Sequence, residues 1–132
     1  MIKFLNIHDF LNLGVIEIND QCRMGHHVLI NLFGVTQDIS DNQELLKDML
    51  IKSAVDNGFT IIGDLFHKFE PQGFTGILLL SESHIAVHTW PEHSSIAIDI
   101  LSCTGLENAM NIINRLKSSI PHERHEIKVL KR

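Results

Sequence analysis

Cysteine, proline and aromatic residues are scarce in this chain of 132 residues, and tyrosine is absent. Two cysteines, Cys22 and Cys103, are too few for a disulfide framework. The formal net charge of −5 argues against nonspecific nucleic-acid binding. There is no apolar run near the roughly 18 residues of a membrane span, and no signal-peptide cleavage pattern. We therefore expect one cytoplasmic domain over residues 1–132, without a nucleic-acid or membrane partner.

Apolar periodicity predicts a strand, a helix, four strands, a second helix and a closing strand. The predicted strands cover residues 26–35, 59–69, 74–81, 84–90, 95–102 and 125–131. Ser40 with Gln43 predicts a capping box for the first helix, and Thr104 with Glu107 predicts one for the second. Residues 1–23 form a poorly patterned lead-in, which is either an edge strand or an arm on a partner subunit.

Each predicted helix has one apolar face. The faces are Leu45, Leu46, Met49, Leu50, Ser53 and Ala54 in the first helix, and Leu106, Ala109, Met110, Ile113 and Leu116 in the second. Consecutive strands with short turns pair antiparallel. The predicted fold class is therefore α+β, a two-layer sandwich of a mainly antiparallel sheet with both helices on one face. A second copy of the chain is the obvious cover for the other face, which would give an αββα dimer.

A polar stretch, SESHIAVHTWPEH (Ser81 to His93), interrupts two apolar segments. Strand alternation places His84, Ala86, His88 and Trp90 on one face. In the next strand Asp99, Leu101 and Cys103 share a face. If the two faces coincide, His88 and Cys103 could meet.

The residues alone leave three interpretations of this region open. The histidines can be partly buried and hydrogen-bonded, with Cys103 a small core residue. Alternatively, His84, His88, His93 and Cys103 could ligate zinc, although their spacing matches no tight ligand pattern. A Ser/His or Cys/His nucleophile is the third interpretation, without support from a G-x-S-x-G motif.

The segment HKFEPQGFTGILLLSESHIAVHTWPEHSSIAIDILSC, from His67 to Cys103, resembles the prokaryotic S-adenosylmethionine decarboxylase proenzyme family. The resemblance covers about residues 24–132 and rests on E-S-H, H-T-W-P-E and the downstream cysteine. It implies pyruvoyl-dependent decarboxylation of S-adenosylmethionine for polyamine (spermidine) biosynthesis. It also implies a homodimer of processed chain pairs, with the sheets face to face and the helices outside.

By this resemblance the chain cleaves itself between Glu82 and Ser83. The Ser83 hydroxyl attacks the Glu82 carbonyl, β-elimination releases the Glu82 carboxylate, and hydrolysis leaves a covalent pyruvoyl group at position 83. That group would form a Schiff base with the substrate amine and accept electrons as carbon dioxide departs. Thr75 would assist processing, His88 would take the Cα proton, and Cys103 would return a proton to the product.

The resemblance also implies that Phe69 and Trp90 neighbour the adenine and that Glu92 binds the ribose; the alternative is ordinary packing. No metal is expected. His93-Ser94-Ser95 and Thr104-Gly105 depart from the family pattern, the first near the expected substrate pocket. A related arginine or ornithine decarboxylase, with Asp99 near the distal cation, is therefore the runner-up. A non-catalytic or zinc-binding subunit is a further alternative.

Overall fold

A computed structural model describes residues 15–17 and 24–132 of the chain. The strands are β1 (Val15–Glu17), β2 (His26–Phe33), β3 (Ile61–Lys68), β4 (Phe74–Leu80), β5 (Ser83–Trp90), β6 (Ser95–Ser102) and β7 (Arg124–Lys131). The helices are α1 (Gln37–Ser40), α2 (Gln43–Asp56) and α3 (Leu106–Ser119), and a 3₁₀ turn covers Pro91–His93. None of the helices in this part of the chain is long and apolar enough to cross a membrane.

The strands form one sheet in the order β1-β7-β2-β6-β5-β4-β3. The pairs from β7 to β3 are antiparallel, whereas β1 runs parallel to β7 at the sheet edge. The α+β fold class, with a mainly antiparallel sheet, is confirmed. The edge-strand alternative for the lead-in holds for Val15–Glu17, while the rest of the lead-in lies outside the described residues.

One side of the sheet carries the hydrophobic core beneath the helices. Alternate residues of β2, β4, β5 and β6 are buried there. The strand core comprises Val28, Ile30, Leu32, Phe74, Leu78, Leu80, Ile85, Val87, Ile96, Ile98 and Ile100. Each such side chain contributes about 1.5–3 kcal/mol on burial. The core therefore fixes which side chains point away from the helices.

The other side of the sheet has no helix over it in the described chain, and we call it the open face. It carries His27, Leu65, Thr75, Ile77, Leu79, His84, Ala86, His88, Trp90, Ala97, Asp99 and Leu101. Leu65 is 73% exposed and Leu79 is 52% exposed. Adjacent exposed aliphatic side chains on one face of a sheet are typical of an interaction surface.

Both predicted capping boxes are wrong. Helix α2 begins after Asn42, whose side chain accepts a hydrogen bond from the Leu45 backbone N–H at 3.1 Å. Ser40 instead ends α1 and is buried. Helix α3 begins after Gly105, and Thr104 shares a hydrogen bond with Ser102. Ser40 and Thr104 have side chains that suit a cap, but the backbone enters the helices at Asn42 and Gly105.

The predicted helix faces are largely confirmed. In α2 the buried residues are Leu46, Leu50, Ser53 and Ala54. In α3 they are Ala109, Ile112, Ile113 and Leu116. Ile112 was missed, and Leu106 is 37% exposed because it occupies the first helical position, at the edge of the contact with the sheet.

Candidate active site

Thr75 and His88 form a hydrogen-bonded pair on the open face. They are direct partners in the register of β4 and β5. Thr75 Oγ1 lies 3.0 Å from His88 Nδ1. With Nδ1 engaged, Nε2 is the imidazole atom that remains for proton transfer to a reacting group. The structure therefore joins two of the predicted helpers into one unit.

Phe69, Trp90 and Glu92 lie at the same end of the sheet as this pair. Trp90 ends β5 and is 42% exposed, and its ring centroid is 6.1 Å from that of His88. Phe69 follows β3 and is also partly exposed. Glu92, in the 3₁₀ turn, accepts a hydrogen bond from Gln72 Nε2 at 3.4 Å. Flat rings and an exposed carboxylate are thus grouped at this end of the sheet, which we call the aromatic edge. The combination suits a purine nucleoside.

A shallow cavity adjoins Trp90 on this edge. Its volume is about 380 Å³, and it lies between the β2, β5 and β6 strand ends. The lining residues are Asn31, Phe33, Trp90, His93, Ser95, Ile96 and Ala97. His93 and Ser95 belong to the segment that departs from the family pattern, so the departure does fall beside this cavity.

Ser83 and Cys103 lie at the opposite end of the sheet. Ser81 and Glu82 form an exposed two-residue turn between β4 and β5, and Ser83 is the first residue of β5. Ser83 is 8% exposed, and its Oγ accepts a long hydrogen bond, 3.5 Å, from the Cys103 backbone N–H. The Cys103 side chain is exposed and its thiol is free. A buried hydroxyl therefore sits directly after an exposed peptide, with a free thiol beside it.

His88 and Cys103 do not meet within one chain, contrary to the possibility raised by strand alternation. His88 pairs with Ala97, whereas Ser83 pairs with Ser102. The five residues from Ser83 to His88 span about 16 Å of extended strand. Alternation predicts the face of a side chain correctly but contains no information on its position along the sheet.

The predicted zinc ligands do not assemble either. His84 and His88 share a face but lie about 13 Å apart along β5. His84 is instead close to Asp99, whose Oδ2 accepts a 2.6 Å hydrogen bond from His27 Nε2. Asp99 is therefore already partnered, which weakens its proposed part in binding arginine or ornithine.

Three residues that shape the site were missed by sequence reasoning. Gln72 orients Glu92, and the buried Thr89 Oγ1 accepts a hydrogen bond from the Phe74 N–H at 3.0 Å. Gly76 permits close packing, since a Cβ there would lie 2.2 Å from the Phe66 ring. Only the glycine had a usable signal, because glycine inside a strand often marks a close approach.

The fold, with a serine directly after a hairpin turn, defines a class, the α+β sandwich shared with solved adenosylmethionine decarboxylases. The Aquifex aeolicus adenosylmethionine decarboxylase superposes with a TM-score of 0.77 and 30% identity, over 83% of this chain and 91% of that chain. The Trypanosoma brucei AdoMetDC-delta26 monomer, at 16% identity, has a TM-score of 0.58 over 80% of this chain and 45% of that chain. The second likeness concerns the fold alone.

Sequence comparisons identify the family. The S-adenosylmethionine decarboxylase family profile matches residues 26–132. An S-adenosylmethionine decarboxylase proenzyme of Clostridium botulinum (strain Loch Maree / Type A3) is 44% identical over 108 residues, covering 82% of this chain and 93% of the relative. One from Thermoanaerobacter sp. (strain X514) is 44% identical over 80 residues, covering 61% of this chain and 64% of the relative. The chain belongs to the S-adenosylmethionine decarboxylase family, as the sequence resemblance predicted.

Proposed function

We propose that this chain is a self-cleaving proenzyme that decarboxylates S-adenosylmethionine with a pyruvoyl group derived from Ser83. The observation that carries the proposal is the position of Ser83, a hydroxyl at the first residue of β5 directly after the exposed Ser81–Glu82 turn. Family membership supports the activity. The product would serve polyamine biosynthesis, and the reaction would take place in the cytoplasm.

The cleavage step uses only groups of this chain and water. Ser83 Oγ bonds to the Glu82 carbonyl carbon as the Glu82–Ser83 amide breaks, which produces an ester. Loss of the Ser83 Cα proton and cleavage of its Cβ–O bond release the Glu82 carboxylate and leave dehydroalanine. Its imine form takes up water and releases ammonia, which leaves the pyruvoyl group on the new N-terminus. The resulting chains are residues 1–82 and 83–132.

The residues around position 83 fit a pyruvoyl group. The Cys103 backbone N–H already points to the Ser83 oxygen, and an N–H donor suits an oxygen that gains negative charge. When formed, the group supplies a carbonyl that accepts the electrons left by departing carbon dioxide. The Cys103 thiol lies at the same strand end, where it can return a proton to the substrate carbon.

Thr75 and His88 require a partner subunit to act at position 83, since about 16 Å of strand separates them from it within one chain. A two-fold axis across the middle of β5, perpendicular to the strands, would place this pair over the partner's strand end at residue 83. The Ser83 side chain lies on the helix side of the sheet in the uncleaved chain, so this strand end must also turn toward the open face for the groups to meet. Packing the open faces together in this way would also bury Leu65, Ile77 and Leu79. We expect such a dimer to have two sites, each built from both chains.

The substrate would extend from position 83 of one chain to the aromatic edge of the other. The adenine would lie against Phe69 and Trp90, and Glu92 would accept hydrogen bonds from the ribose hydroxyls. A carboxylate also attracts the sulfonium charge. Arginine and ornithine have neither a purine nor a ribose to fill these positions, so S-adenosylmethionine is the preferred substrate.

Intact-mass measurement of the purified protein tests the cleavage. The wild type should give two chains divided between Glu82 and Ser83, the second with a pyruvoyl N-terminus. Ser83→Ala should remain a single chain, whereas the matched turn variant Ser81→Ala should still cleave. An uncleaved wild type from which hydroxylamine releases nothing would refute the proposal.

The activity and the dimer are tested separately. Carbon dioxide release should be fastest from S-adenosylmethionine when it is compared with arginine and ornithine, and a preference for either amino acid would support the runner-up. Light scattering at micromolar concentration should give the mass of a dimer of cleaved chain pairs. A monomer would contradict the shared site without affecting the cleavage chemistry.

A further inference from the structure

Three potential metal ligands converge on the open face. None of them is assigned to cleavage or to binding of S-adenosylmethionine in the proposed function. They are His27 of β2, His84 of β5 and Asp99 of β6. His27 Nε2 lies 2.6 Å from Asp99 Oδ2, and His84 Nε2 lies 3.6 Å from the same oxygen. All three ligand atoms lie within 4.8 Å of one another. No other group of three or more His, Cys, Asp or Glu residues in the described chain meets this criterion.

Strand register holds these side chains together. His27 and His84 both pair with Leu101, one from each side of β6. Asp99 lies two residues along β6 on the same face, so its carboxylate reaches back between the two imidazoles. Because three neighbouring strands fix the three backbones, the ligands are in place without any loop closing over them.

The donor set and its spacing fit a small divalent ion. Two imidazole nitrogens and one carboxylate oxygen, with a fourth position open to water, form a common zinc coordination sphere. At Zn–N and Zn–O distances of about 2.0–2.1 Å, tetrahedral ligand atoms lie about 3.3 Å apart. The His84–Asp99 separation is already close to this value. The His27–Asp99 hydrogen bond must lengthen by about 0.7 Å, which a small rotation of the Asp99 carboxylate provides.

Burial strengthens the case for a cation at this position. The side chains of His27, His84 and Asp99 are 24%, 33% and 25% exposed. A partner sheet over the open face would bury them further, and a buried carboxylate requires a compensating positive charge. We propose that His27, His84 and Asp99 bind one divalent transition-metal ion per chain, with zinc the best fit. This departs from the expectation, based on sequence, that no metal is bound.

The site lies within one chain and is assigned no step of the reaction. Its ligands tie β2, β6 and β5 together directly beside Ser83, so the bound ion would stabilise the strand end that cleavage leaves free. The ligand geometry does not depend on the proposed function, whereas the added burial rests on the dimer proposed there. Metal binding and cleavage are measured separately, so the two proposals can fail separately.

Cobalt titration of the chelator-treated full-length protein tests the site. The wild type should bind one Co²⁺ per chain, with visible d–d absorption bands of a site with low coordination number, and Zn²⁺ should displace it. His27→Gln, His84→Gln and Asp99→Asn should each weaken binding by more than the roughly 10–100-fold typical of losing an outer hydrogen-bond partner. Zn²⁺ should raise the Tm of the wild type but not of these variants.

Two controls separate this site from other metal-binding side chains. His122 Nε2 and His125 Nδ1 are 3.0 Å apart elsewhere on the surface, so His125→Gln should leave binding unchanged. Cys103→Ala should also retain the ion, with no sulfur-to-metal charge-transfer band in the wild type. X-ray absorption of the zinc-loaded wild type, which requires no variant to fold, should show two imidazoles and no sulfur. Binding below half an equivalent, binding lost in His125→Gln, or affinity unchanged in all three ligand variants would overturn the proposal.

Discussion

The two ends of strand β5 carry different halves of the proposed chemistry. One end has Ser83 after an exposed turn with Cys103 beside it, where we propose that the chain is cleaved and that a proton returns to carbon. The other has the Thr75–His88 pair beside the aromatic edge, where we propose that a proton is taken and a purine binds. Strand geometry separates the two ends by about 16 Å, which means that one chain holds the parts of a site without assembling it.

The largest expected effect comes from combining two inactive variants. His88→Ala and Ser83→Ala chains should each fail to mature when expressed alone. In a mixed dimer with a shared site, the intact Ser83 of one chain would face the intact His88 of the other. Co-expression should therefore restore cleavage of the His88→Ala chain from essentially none to a substantial fraction, measured by intact mass. A failure to rescue, with mixed dimers present, would place the whole site within one chain.

The second prediction assigns the two ends of β5 to different steps, with Cys103 acting in decarboxylation and His88 in cleavage. Cys103→Ala should still cleave but should decarboxylate about a hundredfold or more slowly, because loss of a positioned proton donor has an effect of this order. His88→Ala should stop earlier and accumulate the ester, which hydroxylamine would split. Mass spectrometry of the chains and carbon dioxide release provide the two measurements. Equal cleavage defects in both variants would contradict the division of roles.

A smaller effect is expected at the aromatic edge. Stacking a base on an aromatic ring contributes roughly 1–3 kcal/mol, so Trp90→Ala should weaken substrate binding about tenfold or more. Trp90→Phe should retain most of this binding, and neither variant should alter cleavage. The comparison is made on KM for carbon dioxide release. An unchanged KM in Trp90→Ala would mean that the adenine does not bind at this edge.

The smallest effect concerns the turn between β5 and β6, at the aromatic edge. Ser94, between β5 and β6, has a φ of 50°, the one positive value among the described residues other than glycine. Glycine adopts this conformation without the steric penalty of about 1–2 kcal/mol paid by other residues, but loses more entropy on folding. Ser94→Gly should therefore raise the free energy of unfolding by about 1 kcal/mol at most, measured by urea denaturation of the cleaved protein. Ser94→Ala should give no gain, and both variants should cleave normally.

Much of the molecule was predictable because it depends on short stretches of chain. The two-residue alternation in HIAVHTW placed His84, His88 and Trp90 on one face, and the structure agrees. The helix faces followed from 3.6-residue periodicity. The cap positions were wrong, since a cap depends on the backbone conformation of one residue, to which several neighbouring polar residues are equally suited.

The sequence by itself determined the type of the two long helices and of β2 to β7, the face of the residues in those strands and the motif that identifies the family. Only the tertiary structure decided which side chains meet. Asp99 binds His27 across 72 residues of chain, while His88 lies far from the end of the sheet at which Cys103 follows β6. The physical reason is that alternation and periodicity are set by local backbone geometry, whereas distances between strands depend on strand order and register. Those are selected by burial of the whole core, which no single segment encodes.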